Sequence, residues 1–252
     1  MTAAAVDLNA DLGEGAASDE ALLAVITSAN IACGGHAGDE ETMRRTVRSA
    51  KVHGVGVGAH PSYRDRDGFG RRVIPMPPEE LIELMAGQIQ LLREIAAMED
   101  VRLQHVKAHG ALYNLAAGDE AVAEAIGRAM LSVDPALIAV ALAGSVMGEV
   151  FAHLGLQVVG EAFLDRGYTA RGTLVPRDHP GALITDPAAV GTRAVRMVRG
   201  GLVTSVDGTD VHLAPQTLCL HADTPGSPAI AAAARGALEA AGVRVVPMRE
   251  LS

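Results

Sequence analysis

The chain is 252 residues long, 49% of them hydrophobic, with 2% aromatic residues, no Trp and a formal net charge of −9. That apolar fraction supports a sizeable core of Ala, Val, Leu, Ile and Met, whereas the negative charge and the shortage of stacking rings exclude nucleic acid and anionic membrane surfaces as partners. Two cysteines, Cys33 and Cys219, make no disulfide framework and suit a reducing compartment. We find neither a basic segment leading into an apolar run nor a stretch of about 18 apolar residues, so we expect no signal peptide, no membrane span and a cytoplasmic location.

In chain order, strand-like runs at 4–9, 28–33, 55–59, 101–107, 137–142, 157–161 and 217–221 alternate with helical patterns near 18–27, 39–53, 78–98, 119–132, 145–154, 187–199 and 227–241. Asp186-Pro187 and Asp134-Pro135 read as a helix N-cap followed by a proline at the first helical position. Gly54, Gly155 and Gly242 stand where helices end. "VTSVDGTDVHL" (203–213) carries Asp207-Gly208 between alternating flanks, a hairpin outside the strand–helix rhythm, and a short strand near 243–246 closes the chain. Alternation of this kind implies a parallel sheet with right-handed crossovers. No linker divides the sequence, so we expect one (β/α) barrel domain over 1–252, with an open doubly wound sheet as the other arrangement.

Polar, chemistry-capable residues gather at the C-terminal ends of the strands: 7–14, "NIACGGHAGD" (30–39), "GAHPSYRDRDGFGRR" (58–72), "HVKAHGALYN" (105–114), "GEAFLDRGY" (160–168) and "CLHAD" (219–223). The opposite loops, "MEDV" and "GLQV", are bland. A barrel collects those ends into one mouth, where barrel enzymes place their sites.

The first strand illustrates the logic. Val6 and Leu8 point one way and pack under helices, whereas Asp7, Asn9 and Asp11 point the other way and line the interior towards the mouth. Lys107 and His109 share one parity, as do Cys219 and His221. Lys107, inside an apolar strand, needs a partner such as Asp7 or Asp11. His36, after Gly34-Gly35, suits a metal ligand, an acid/base group, an oxyanion donor or a helix cap, and His60 ends a strand in the same manner. Arg71 and Arg72 can clamp a carboxylate or phosphate, or pair with Asp65 and Asp67. Cys33 near His36 and Cys219 near His221 raise a Cys–His nucleophile against the commoner buried thiol. His53, His153, His179 and His212 are read as surface residues. No P-loop motif occurs, and the G-x-G at 54–58 lies between a helix and a strand, the reverse of dinucleotide-binding order.

The stretches "DLNADLGEG", "SANIACGGHAGD", "GAHPSYRDRDGFGRR", "VKAHGALYN", "EAFLDRGY" and "LCLHADTPG" resemble the lactam-utilization family, understood as the A subunit of prokaryotic 5-oxoprolinase, over residues 5–248. The resemblance implies a seven-stranded barrel like those of glycoside hydrolases and polysaccharide deacetylases. It also implies ATP-dependent opening of 5-oxo-L-proline to L-glutamate, with Mg-ATP as co-substrate and companion subunits B and C. From residue chemistry together with that resemblance we expect Asp11, Glu14, His36, His60, Lys107 and His109 as catalytic residues. Asp7, Asn9, Asn30, Gly35, Tyr63, Arg71, Arg72, Asp165, Arg166 and His221 are the expected substrate-binding residues. In this scheme Asp11 or Glu14 is the base, His36 or His60 stabilises an oxyanion, and Lys107 with Arg71 or Arg72 holds an anionic group. The rival expectation is a metal-dependent amide hydrolase of the deacetylase type, with Asp11, His36 and His60 around a divalent ion. A third is a non-catalytic subunit that binds the lactam and passes it on.

Overall fold

Residues 4–251 are described by a computed structural model. The elements run β1 (Ala5–Leu12), α1 (Asp19–Leu23), β2 (Ser28–Ala32), α2 (Glu40–His53), β3 (Gly56–His60), α3 (Pro78–Met98) and β4 (Leu103–Val106). They continue with α4 (Gly110–Ala116), α5 (Glu120–Val133), β5 (Ile138–Leu142), α6 (Val146–His153), β6 (Gln157–Phe163) and α7 (Pro187–Gly200). The chain ends with β7 (Leu202–Thr204), β8 (Asp210–His212), β9 (Thr217–His221), α8 (Ser227–Ala240) and β10 (Arg244–Val245). Strands β1 to β6 and β9 pair in parallel, and β9 also pairs with β1, with Asp7 opposite Thr217 and Asp11 opposite His221. The sheet thus closes into a seven-stranded barrel, which removes the open-sheet alternative. β10 extends the foot of β1, and β7–β8 form a separate antiparallel hairpin around Asp207-Gly208.

The parity of β1 has the expected consequence. Val6, Leu8, Ala10 and Leu12 are fully buried in the apolar layer beneath the helices. Asp7, Asn9 and Asp11 turn into the barrel and are equally buried there. The interior is consequently a hydrogen-bonded polar core, which is tolerable only because its members satisfy one another. Asp7 accepts from Thr27, Ser28 and Thr217 hydroxyls, Asn9 donates to Glu161 and Thr217, and Asn30 donates to Asn9 and Asp11. Gly58 makes room for this packing, since a Cβ there would lie 2.1 Å from the His105 ring.

Two expectations fail locally. Asp134-Pro135 does not start a helix: α5 ends at Val133, and Asp134 accepts from the Ala136 and Leu137 amides in a turn leading into β5. The same dipeptide chemistry serves a turn as well as an N-cap. Asp186 does cap α7, accepting from the Ala188 amide. The stretch after Lys107, read as loop, contains helix α4, which Gly110 enters through a left-handed φ of 58°. No helix among the described residues is long and apolar enough to cross a membrane.

Candidate functional site

The strand ends converge on the mouth. β1 and its extension bring Asp11 and Glu14, the β2 loop His36, β3 His60, the end of β4 Lys107 and His109, β6 Glu161, and β9 Cys219 and His221. A cavity of about 510 Å³ opens there, with Asp11, Glu14, His60, Lys107, His109 and Tyr113 on its inner surface.

Lys107 stands at the centre. Its Nζ lies 2.9 Å from Asp11 Oδ1, 3.0 Å from Glu161 Oε1 and 3.0 Å from Cys219 Sγ. Burial alone would lower the ammonium's pKa, but Asp11, Cys219 and Glu161 outweigh it and hold it well above the usual lysine value. Asp11 shows the converse: burial favours its neutral form, yet His60 and Lys107 keep it well below the ordinary carboxylate range. Lys107 therefore pairs with Asp11 rather than Asp7, and its charge is committed inside the protein.

The imidazoles form a second cluster. His60 Nδ1 donates to the Lys107 carbonyl at 2.8 Å, and His60 Nε2 lies 2.9 Å from His109 Nδ1. His109 gives its Nε2–H to the Phe69 carbonyl, so its Nδ1 accepts and His60 carries both protons. Burial would lower His60, but Asp11, 3.4 Å from its Nε2, raises it above the usual imidazole value. His109 is driven well below by burial, His60 and His36. His36 Nδ1 donates to Ser62 Oγ, whose own hydrogen goes to the Tyr63 carbonyl. His36 Nε2 meets Glu14 Oε1 at 2.9 Å, a contact that needs one proton between the two groups. Burial lowers His36, and Glu14 partly offsets it.

The backbone around the cluster is specialised. Phe69 adopts a left-handed φ of 54°, unusual for a non-glycine residue, and so aims its carbonyl at His109. Next to it, a Cβ on Gly70 would lie 2.7 Å from His109 Cδ2 and 2.9 Å from His36 Cβ.

Whether these residues fit a metal turns on ring orientation. One ligand atom each from Glu14, His36, His60 and His109 lies within 4.8 Å of the others. His36 and His109, however, are stacked with centroids 3.6 Å apart and planes 2° from parallel. An ion about 2 Å from an imidazole nitrogen lies near that ring's plane, so parallel rings at this spacing cannot both bind it. His36 and His60 are perpendicular, at 89°. The set that fits is thus Glu14, His36 and His60. Asp11, expected in that role, gives Oδ1 to Lys107 and Asn30, while its Oδ2 lies 3.4 Å from His60 Nε2, and Asp11 groups with Cys219 and His221 as a second set of candidate ligands.

Several expected binding residues lie away from the cavity. Asp7, Asn9 and Asn30 are in the barrel interior below it, and Tyr63 is buried outside its lining. Gly35 spaces the loop, since a Cβ there would lie 2.5 Å from Ser62 Oγ. Arg72 turns outward to Asp65. Asp165 stands behind His221, accepting from its Nδ1 at 3.0 Å, and both His221 and Arg166 line the cavity, as does Arg71. Neither thiol is disposed as a nucleophile: burial pushes Cys33 up to about 12, and Cys219 is also held well above its usual value by burial. His53, His153, His179 and His212 are exposed, as expected.

Sequence reasoning did not assign site roles to Glu161, Tyr113, Arg177 or Asp223. Glu161 is fully buried and its Oε2 accepts from the Tyr113 hydroxyl at 2.8 Å. A signal existed, since Glu161 ends an apolar strand just as Lys107 does.

Residues 6–252 match the LamB/YcsF family. The A subunit of a 5-oxoprolinase from Chloroflexus aggregans is 50% identical over 245 residues, covering 95% of this chain and 97% of that protein. The crystal structure of a lactam utilization protein from Thermus thermophilus superposes with a TM-score of 0.90 at 44% identity, covering 97% of this chain and all of that one. A T48 deacetylase superposes with a TM-score of 0.51 at 16% identity, covering 98% of this chain and 90% of that one, a likeness of fold alone.

Proposed function

Because this chain belongs to the LamB/YcsF family, we propose that it is the barrel subunit of an ATP-dependent 5-oxoprolinase, opening 5-oxo-L-proline to L-glutamate in the cytoplasm together with companion subunits B and C. A five-membered lactam is an unactivated amide. Transfer of a phosphoryl group from Mg-ATP to its oxygen makes the ring carbon electrophilic. Water then adds to that carbon, the ring nitrogen leaves with a proton, and a second water releases phosphate. The chain carries no P-loop, which supports assigning the nucleotide to a companion or to an unconventional part of the mouth.

The observation that carries this reading is a carboxylate on the cavity wall, Glu14, set between two imidazoles, His36 at 2.9 Å and His60 at 3.7 Å. Glu14 Oε1 engages His36, while Oε2 has no hydrogen-bond partner among the described residues. Glu14 is therefore the better base for water, and Asp11, held ionised by His60 and Lys107, orients the proton donor. His60 keeps its Nδ1–H on the Lys107 carbonyl, and its Nε2–H, held by His109 before substrate arrives, is the proton that turns to the developing oxyanion or the departing nitrogen. The test is glutamate and ADP release from 5-oxo-L-proline and Mg-ATP by the chain alone, by the companions alone and by all three. Stoichiometric products only in the full mixture support the reading; no glutamate from any mixture, with active companions, removes it.

A second reading rests on the perpendicular His36 and His60 rings beside Glu14. Their remote nitrogens donate to Ser62 and to the Lys107 carbonyl, the support that ligating histidines commonly have. A divalent metal held there would polarise a carbonyl or activate water. Stoichiometric metal with ATP-independent amidase activity would select this reading.

A further inference from the structure

The outer wall of the same cavity is basic on a chain whose net charge is −9. Arg71, Arg166 and Arg177 all line it, and Arg71 and Arg177 share one counter-ion: their guanidinium nitrogens lie 2.7 and 3.3 Å from the same oxygen, Asp223 Oδ2. Arg166 is 6% exposed and gives Nε to the Ala182 carbonyl and Nη2 to the Val175 carbonyl, which leaves Nη1 without a protein acceptor among the described residues. Asp178 also lines the wall, but it points to solvent and accepts from His179. Asp165 is committed to His221 and Thr224. Two guanidiniums thus share a single carboxylate while a third, Arg166, lines the same wall and is disfavoured by both of them, an arrangement that a further anion would relieve. Arg71 is also held over the Phe69 ring at 4.9 Å, which ties this wall to the segment supporting His109.

We infer that Arg71, Arg166 and Arg177 form the subsite for the anionic end of the substrate, with Asp223 as a resident counter-ion that the substrate carboxylate displaces. This rests on the function proposed above and deepens it. The lactam ring would reach towards Glu14 and His60 while its carboxylate is forked by guanidiniums at the rim. The subsite makes the negative charge a specificity determinant: 5-oxo-L-proline is taken, and the same ring without its carboxylate, 2-pyrrolidinone, is not.

The displaced counter-ion gives a test of opposite signs. Calorimetric titration of the full-length chain, alone and with its companions, would use 5-oxo-L-proline, 2-pyrrolidinone and inorganic phosphate. Arg177→Gln and Arg71→Gln should each weaken 5-oxo-L-proline binding tenfold or more. Asp223→Asn should tighten it several-fold, because no internal pair must then be broken. 2-Pyrrolidinone should bind at least a hundredfold more weakly than 5-oxo-L-proline to the wild type. Both arginines are partly exposed, so the variants should fold, and circular dichroism melting verifies this. Unchanged binding in the arginine variants, or weakening by Asp223→Asn, overturns the inference. If 5-oxo-L-proline binds under no condition, the proposed function fails. Phosphate then still reports on the subsite: weaker binding in Arg177→Gln sustains an anion site, and equal binding removes it.

Discussion

Lys107 Nζ lies 3.0 Å from Glu161 Oε1, and this contact joins the buried polar interior of the barrel to the floor of the cavity. Both side chains are withdrawn from water, at 2% and 0% exposure. Glu161 also holds Asn9 and the Tyr113 hydroxyl. Removing one member of such a pair strands the other charge in a low-dielectric setting. Glu161→Leu should therefore lose about 3–5 kcal/mol in urea unfolding. Lys107→Met should be destabilised too. The double variant should lose less than the sum of the two, since one positive and one negative charge leave together and Asp11, though it loses Lys107, keeps His60 at 3.4 Å. Strict additivity would show that the pair is not coupled.

Gly70 is the position where backbone and site chemistry meet. Its φ is +65°, and a side chain there would press on both His36 and His109. Gly70→Ala should cost about 1–2 kcal/mol from the left-handed backbone, read as a melting shift of roughly 2–8 °C for a chain this long. Activity should fall far more, by tenfold or greater, because the imidazole stack must move. A loss of activity no larger than the stability change predicts would separate Gly70 from the site.

Asp165 carries an acid-dependent contribution. Burial alone would raise its carboxyl, but His221, Thr224 and the His221 backbone amide hold it down at about 2. A depressed folded-state value means that the stabilisation is fully present above the unfolded value of 3.8 and disappears as the pH falls towards 2. Asp165→Asn should be less stable than wild type by about 2 kcal/mol at neutral pH. That gap should narrow steadily between pH 4 and 2. Denaturation midpoints across that range decide it, and a constant gap would remove Asp165 from the acid limb.

How much of this was legible in the sequence follows from what each signal depends on. Strand–helix alternation is local, so the barrel and nearly every element could be placed from pattern, and the parity of Asp7, Asn9 and Asp11 gave their inward direction. Closure could only be expected, because it depends on β9 meeting β1 across about 210 residues of chain. Partnerships were less legible. Lys107 demanded an acid, but the identity of Asp11 and Glu161 rests on register between β1, β4 and β6. The Arg71–Arg72 dipeptide looked like a clamp, yet adjacent side chains point apart, so one faces the cavity and the other pairs with Asp65. Arg177 and Asp223 lie in loops without periodicity, and nothing local connects them.

Asp7 tests the opposite electrostatic sign from Asp165. It is sealed in the barrel interior, where burial raises its carboxyl to about 6 against the opposing Ser28, Thr217 and Thr27 hydroxyl bonds, and Glu161 raises it further. The folded protein thus holds this proton more tightly than the unfolded chain, whose value is 3.8. In that window the native state binds more protons, so the contribution of this group to stability declines as the pH rises from 3.8 to about 6 and is level above it. Asp7→Asn removes the titration while keeping an oxygen for the Ser28 and Thr27 hydroxyls. At pH 4 the variant should be the less stable protein, because its amide nitrogen meets the Thr217 hydroxyl that now donates to Asp7. Its deficit should shrink by up to about 1.4 kcal/mol per pH unit as the wild type ionises. Urea midpoints for both proteins from pH 4 to 7 measure the difference directly. A deficit independent of pH would mean that Asp7 is ionised throughout, with the Thr27, Ser28 and Thr217 hydroxyls compensating its burial in full.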